Sequence, residues 1–532
     1  MKIIESPTGS GKSAWAAASP YFVDSPDPSQ SRLSHPDWRL HQLETLRWLV
    51  DDPGSVIVLT RTKSLQSQYG QQYCASVLFG RANYDCQHPD SFGSKCDSCQ
   101  FQLEMHKCPH AGRCEYLLTK EQAKASPFTA LNYSYWLAAD WPAKDDRAYV
   151  YLDEAHNLSK IVLDWAGCRV SEKDAADWQL PDLPTIEHRA SNILLRLPPP
   201  TDLALTWLVD ARQVMATWWK QLSKDKSEKG MEQLRKCENL GRKLTATREA
   251  IQSCADEWYV RSGPRGLMRG YGTVPGFIAR PLTSRNHFAR YFFNGSQVIA
   301  MSATIGQPET FASELGITDY QFRIVPSRFQ PERRPVHVLD CPSMSSKATE
   351  QDFEYQADAI AEFIKRYPPH WPGLIHVSRI KEEKLLHDRL ARRGLSDRVF
   401  YVKSKQESYT PTDSQLKAWE RRKRRVPNSL LITCSFSEGY DGLDEKINVS
   451  AKIPFRRWGS NDSYDRAWAT YSRKRYSQDA AIALMQSQGR NRRGREEDYD
   501  TGDQVRGANA VADGSIGKVK SYLSESFKEA LV

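Results

Sequence analysis

A lysine and a serine close a glycine-rich run, Pro7-Thr8-Gly9-Ser10-Gly11-Lys12-Ser13. Such a run turns backbone N–H groups toward phosphate oxygens, and Thr8, Gly9, Ser10 and Gly11 would form that cradle. An ammonium at Lys12 neutralises the terminal phosphates of a nucleotide, a hydroxyl at Ser13 ligates Mg²⁺, and a helix starting there adds its dipole. The strict Gly-x-x-x-x-Gly-Lys pattern asks for glycine where Ser6 stands. The assignment therefore leans on the strand before the loop and the helix after it.

A second cluster is acidic. Tyr149-Val-Tyr-Leu-Asp153-Glu154-Ala155-His156 reads as a buried strand delivering two carboxylates at its C-terminal end, where α/β sheets place ligands. Asp153 can hold Mg²⁺, and Glu154 can orient and deprotonate an attacking water. Far downstream, Gln486-Ser-Gln-Gly-Arg490-Asn-Arg-Arg493 places two arginines on one helical face. Planar guanidinium groups there would stabilise charge building on a transferred phosphoryl group.

Between the first two clusters lie Cys86, Cys96, Cys99, Cys108 and Cys114. Thiolates at these spacings can hold Zn²⁺ or an iron–sulfur cluster, and spacing alone does not separate the two. His106 and His110 stand nearby as further ligands for a zinc knuckle.

These groups need a frame. Lys2–Ser6 and Ser55–Thr60 read as strands, with helices from Lys12 and over Lys63–Tyr73, so a βαβ rhythm precedes the cysteines. Phe128–Leu131, Ala148–Leu152 and Gln297–Met301 continue it. Residues 160–270 carry helical periodicity, as in Leu203–Leu222 and Met231–Trp258, almost without strand signals. A second α/β unit follows, with strands near Leu374–Val377, Val399–Val402 and Leu430–Cys434, and closing helices over Asp479–Gln488 and Val519–Leu531. Residues 24–37 and 494–517 read as loops, and Pro326–Pro335 as a hinge.

A chain of 532 residues is too long for one core. The formal charge of +9 is a modest basic excess compatible with a polyanionic partner. No apolar run approaches the ~20 residues that span a bilayer, and the start shows no secretory signal, so a cytoplasmic location without membrane contact is expected. In that compartment, eleven cysteines are not a disulfide framework. The run Arg421-Arg-Lys-Arg-Arg425 reads as a solvated helix face or a phosphate contact. Tyr84, Tyr116, Tyr133, Tyr135 and Trp136 are either core residues or stacking platforms for bases.

Taken in order, Asp153-Glu-Ala-His156, Met301-Ser302-Ala303-Thr304 and Gln486-x-x-Gly-Arg490-x-x-Arg493 resemble the motifs of a superfamily-two nucleic-acid helicase. Within it the chain resembles the XPD/DinG group of iron–sulfur DNA helicases. Thr60–Gln66, Phe79–Cys86, Cys114-Glu-Tyr116, Leu131-Asn132-Tyr133, Ser437-Glu438-Gly439-Tyr440-Asp441 and Ile453-Pro454-Phe455 carry that narrower likeness.

The resemblance implies an α/β fold of two RecA-like parallel-sheet domains, with a small iron–sulfur domain and a helical Arch domain inserted in the first. The expected boundaries are 1–85, 123–165 and 273–328 for the first RecA-like domain, 86–122 for the cluster, 166–272 for the Arch and 329–532 for the second RecA-like domain. It implies ATP, Mg²⁺ and a [4Fe–4S] cluster as cofactors, the cluster held by Cys86, Cys108, Cys114 and either Cys99 or Cys96. It makes Gly439 and Asp441 nucleotide contacts, and His156, Ser302 and Thr304 coupling residues. It further implies 5′→3′ movement of a monomer on single-stranded DNA and action at duplex junctions. The expected function is thus an ATP-dependent helicase. The alternatives are a DNA-stimulated translocase without unwinding, or a zinc-containing nucleic-acid-binding protein with an impaired motor. The group carries an adenine-contacting segment ahead of the phosphate loop. Met1 stands just upstream here, so the chain is expected to be a fragment or to start unusually.

Overall fold

The computed structural model describes residues 1–6, 12–21, 44–88, 95–99, 101, 105–138, 147–184, 186, 201–225, 227–254, 257–263, 276–293, 295–325, 331–333, 335–402, 411–436, 445–456, 464–489 and 507–532. The expectations placed on Thr8, Gly9, Ser10, Gly11, Gly439, Asp441, Arg490 and Arg493, on the 24–37 loop and on most of the hinge lie outside the described residues.

The chain opens with strand β1 (Lys2–Glu5), and β2 (Val56–Thr60), the short β3 (Ser76–Val77), β4 (Phe128–Asn132) and β5 (Tyr149–Asp153) follow. Every residue of β1, β2 and β5 is buried. Continuous apolar runs such as Val56-Ile-Val-Leu suit strands covered on both faces, and each fully buried branched side chain contributes about 1.5–3 kcal/mol.

The chain then leaves this sheet to make a smaller antiparallel one, from β6 (Cys168–Ser171), β7 (Trp258–Gly263) and β8 (Gly276–Pro281). Two long helices, Thr201–Leu222 and Glu228–Ser253, lie between β6 and β7. They pack on the small sheet, with Trp207 stacked on Phe277 at 4.4 Å between ring centres. The helical reading of residues 160–270 therefore needs correction at its root. Trp258 begins a strand rather than ending a helix, because Trp258-Tyr-Val buries its aromatic and branched side chains against β8.

Strands β9 (Gln297–Ser302) and β10 (Gln321–Ile324) return to the first sheet, whose order is β10-β1-β9-β5-β2-β4-β3, all parallel. Parallel pairing brings the C-terminal strand ends to one edge. Glu5 lies opposite Ser302, and Asp153 opposite Met301.

The second sheet is also parallel. It contains β11 (Val336–Val338), β12 (Gly373–His376), β13 (Val399–Tyr401), β14 (Leu430–Thr433), β15 (Ile447–Ser450) and β16 (Ala508–Val511), in the order β11-β16-β15-β12-β14-β13. Strand β16 falls within the expected 494–517 loop. Its Ala-Asn-Ala-Val is short and weakly apolar, and pairing on both sides is what makes it a strand. The expected 519–531 helix is replaced by the turn Lys520–Tyr522 and one α-turn, Glu525–Lys528. Among the described residues, no helix is long and apolar enough to cross a membrane.

Candidate nucleotide site and cysteine cluster

Lys12 begins the helix that follows the phosphate loop, and its Nζ donates to the Ser6 carbonyl at 2.6 Å. Ser13, one residue on, hydrogen-bonds the phenol of Tyr69. That phenol also donates to Asp153 Oδ2 at 3.1 Å, so Tyr69 joins the two groups expected to hold Mg²⁺. Asp153 Oδ1 accepts from the Glu154 backbone N–H at 2.9 Å, and the Tyr133 hydroxyl donates to the Asp153 carbonyl at 2.7 Å. Burial, followed by the neighbouring Glu154 charge, pushes the Asp153 carboxyl up to about 7, against the pull of Lys12.

Glu154 takes a left-handed backbone at φ 53°, which turns the chain sharply off the strand. Its Oε2 lies 3.3 Å from His156 Nδ1. The imidazole is fixed on both nitrogens. Asn157 Nδ2 donates to Nε2 at 2.8 Å, and Nδ1 meets Ser302 Oγ at 2.8 Å. Arg61 Nη1 donates to Asn157 Oδ1 at 3.2 Å, which orients that amide. With Nε2 accepting, the proton sits on Nδ1.

Ser302 Oγ accepts the Thr304 N–H at 3.2 Å. From the second lobe, Gln486 Nε2 donates to Thr304 Oγ1 at 2.6 Å. Glu154, His156, Ser302, Thr304 and Gln486 thus form one continuous polar chain, and it crosses between the lobes. The same second-lobe helix, Arg473–Gln488, adds two further bridges. Arg475 Nη2 donates to the His156 carbonyl at 3.3 Å, and Gln478 Nε2 to the Ile305 carbonyl at 3.0 Å.

The sequence reading missed Tyr69, Arg475, Gln478 and Glu5. All are buried polar groups, and the stretches around Tyr69, Arg475 and Gln478 are themselves polar, so no local pattern marks them. Glu5 is 3% exposed, and burial pushes its carboxyl up to about 7.

The cysteines sit among short turns. The Cys96 N–H donates to the Tyr84 carbonyl at 2.8 Å, the Cys108 N–H to the Met105 carbonyl at 3.1 Å, and Cys114 precedes the Glu115–Ala125 helix. The Sγ atoms of Cys96 and Cys114 are 3.9 Å apart, and Cys99 hydrogen-bonds Cys86, with Cys108 close enough to act on its charge. Burial, reinforced by the neighbouring thiols, pushes Cys96 and Cys99 up to about 12. Among the described residues, no three metal-ligating side chains meet closely enough to hold an ion as they stand. The donor chemistry still fits a metal centre. Neighbouring thiols that resist ionising together are those a cation would convert to thiolates. His110 packs edge-on against His88 at 5.2 Å between ring centres. The long helices reach this segment through an Arg235–Asp97 ion pair.

Tyr84, Tyr116, Tyr133 and Trp136 are buried in the first core, and Tyr116 shares a hydroxyl contact of 3.0 Å with Tyr135. In this arrangement they serve packing rather than stacking on bases. In the basic run, Arg422 bonds Ser429 and the Asp397 carbonyl, and Lys423 pairs with Glu420 and Glu445. That part of the run is structural, while Arg421, Arg424 and Arg425 are exposed.

Two parallel sheets, joined across polar bridges and with insertions in the first, make a two-lobed α/β fold. No family model matches the chain, and no curated protein matches it. Solved structures do. One described as an XPD helicase aligns with a TM-score of 0.50 over 96% of this chain and 91% of its own length, at 14% identity. An XPD structure described as apo gives 0.49 over 96% and 92%, also at 14% identity. Xpd4 from S. tokodaii gives 0.48 over 100% and 96%, at 11% identity. The likeness is one of fold, and the fold is that of an XPD-like helicase, with two RecA-like lobes.

Proposed function

We propose that the protein is an ATP-dependent DNA helicase that moves 5′→3′ along single-stranded DNA and hydrolyses ATP at the seam between its lobes. The observation that carries this reading is the polar chain from Glu154 through His156, Ser302 and Thr304 to Gln486. It links the carboxylates at the first sheet's edge to a second-lobe helix, Arg473–Gln488, that ends two residues before Arg490 in sequence.

In this reading Thr8, Gly9, Ser10 and Gly11 cradle the phosphates and Lys12 neutralises them. Ser13 and Asp153 hold Mg²⁺, and Glu154 takes the proton of the attacking water. Gly439 and Asp441 contact the nucleotide from the second lobe. Gln486, Arg490 and Arg493 close on the triphosphate, and the arginines stabilise its developing charge. Hydrolysis removes the ligand bridging the lobes, and each opening and closing advances the strand.

Cys86, Cys108 and Cys114, with Cys99 or Cys96, would hold the [4Fe–4S] cluster. When bound, that centre cross-links a turn-rich segment. The Arg235–Asp97 pair joins this segment to the long helices, and in this reading the two engage DNA together.

The test is strand displacement on partial duplexes. With ATP, a 5′ overhang is predicted to be unwound and a 3′ overhang left intact. Movement on single strands without displacement would favour a translocase, and activity on RNA alone would overturn the DNA assignment.

A further inference from the structure

Glu5 stands where β1 ends and the phosphate loop begins, and it is 3% exposed. A buried carboxylate is costly unless it is hydrogen-bonded. One oxygen, Oε2, accepts from the Ile305 N–H at 2.7 Å and from the Gly306 N–H at 3.0 Å. The Ser524 hydroxyl, from the second lobe, also bonds this carboxyl, and Lys12 acts on its charge.

The segment Glu5 grips is held from the opposite side as well. Gln486 bonds Thr304 Oγ1, and Gln478 donates to the Ile305 carbonyl at 3.0 Å. Gly306 has φ +77°, and a Cβ there would sit 3.2 Å from Gln478 Nε2. A left-handed backbone against a buried amide leaves glycine as the residue that fits. Thr304–Gly306 is therefore clamped between the root of the phosphate loop and one helix of the second lobe.

We infer that Glu5 is a positioning residue that passes the state of the phosphate loop to the second lobe through Thr304–Gly306. The role rests on the proposed motor. When Lys12 leaves the Ser6 carbonyl for a nucleotide phosphate, the end of β1 is the first backbone to feel it. Glu5 makes that movement common to the loop and the interlobe clamp.

The experiment compares wild type, Glu5→Ala, Glu5→Gln and Gln478→Ala for ATP hydrolysis with and without single-stranded DNA, and for binding of a fluorescent ATP analogue. Gln keeps an oxygen that can accept both N–H groups, whereas Ala removes it. Glu5→Ala is expected to lower the DNA-stimulated kcat on the order of ten-fold, with little change in KM for ATP. Glu5→Gln restores most of the loss, and Gln478→Ala reproduces it. A Glu5→Ala enzyme stimulated like wild type, or a Gln variant as impaired as the Ala variant, overturns the role. Should Glu5→Ala not fold, a fully stimulated Gln478→Ala enzyme overturns it equally. A wild type with no stimulation at all refutes the motor itself, which separates the two failures.

Discussion

Gln486 and Thr304, 182 positions apart in sequence, meet through a 2.6 Å hydrogen bond that ties the second lobe to the residue two beyond Ser302. Thr304 is buried at the interface, so removing one partner leaves the other without its bond, at a cost of about 1–3 kcal/mol. Gln486→Ala and Thr304→Ala should each reduce DNA-stimulated ATP hydrolysis by roughly 3- to 30-fold. In a double-mutant cycle the pair should show an interaction energy of about 1 kcal/mol or more. Additive losses would mean that the contact does not carry the coupling.

Asp153 makes a pH prediction. Its folded carboxyl is raised to about 7, chiefly by burial. A carboxyl raised on folding contributes stability that is fully present below its unfolded value of about 4 and is lost as pH climbs through the folded value. Asn at this position cannot ionise. Without Mg²⁺ and nucleotide, the Tm of Asp153→Asn should therefore gain on wild type as pH rises from about 5 through about 7. A difference that stays constant with pH would contradict the assignment.

The cysteine cluster makes a compositional prediction. Protein purified without oxygen should be brown, absorb broadly in the visible, and contain about four iron atoms with matching sulfide per chain. Cys108→Ser and Cys114→Ser should bleach it and loosen the turn-rich segment, seen as faster proteolysis there. Colourless protein with stoichiometric zinc would replace the cluster with a zinc site.

The parts of the fold that the sequence made legible are those with strong local patterns. Val56–Thr60 needed only an apolar run, and the expected helix over Lys63–Tyr73 forms, capped by the Thr62 side chain. The short strand β16 and the small antiparallel sheet were hidden, since pairing partners far along the chain decide them. At the site, Lys12, Asp153, Glu154 and Gln486 could be picked out by residue type and spacing, and Ser302 and Thr304 by the resemblance to helicase motifs. Glu5, Arg475 and Gln478 could not, because their importance comes from crossing between elements that only folding brings together.

The most direct test of the motor is steady-state ATP hydrolysis by wild type and Glu154→Gln, with and without single-stranded DNA. Wild type should be stimulated by DNA. Glu154→Gln should bind both ligands yet lose about 10²- to 10⁴-fold in turnover, as expected when a general base is removed. A wild type indifferent to DNA, or a Gln variant that hydrolyses ATP at the wild-type rate, would contradict the account.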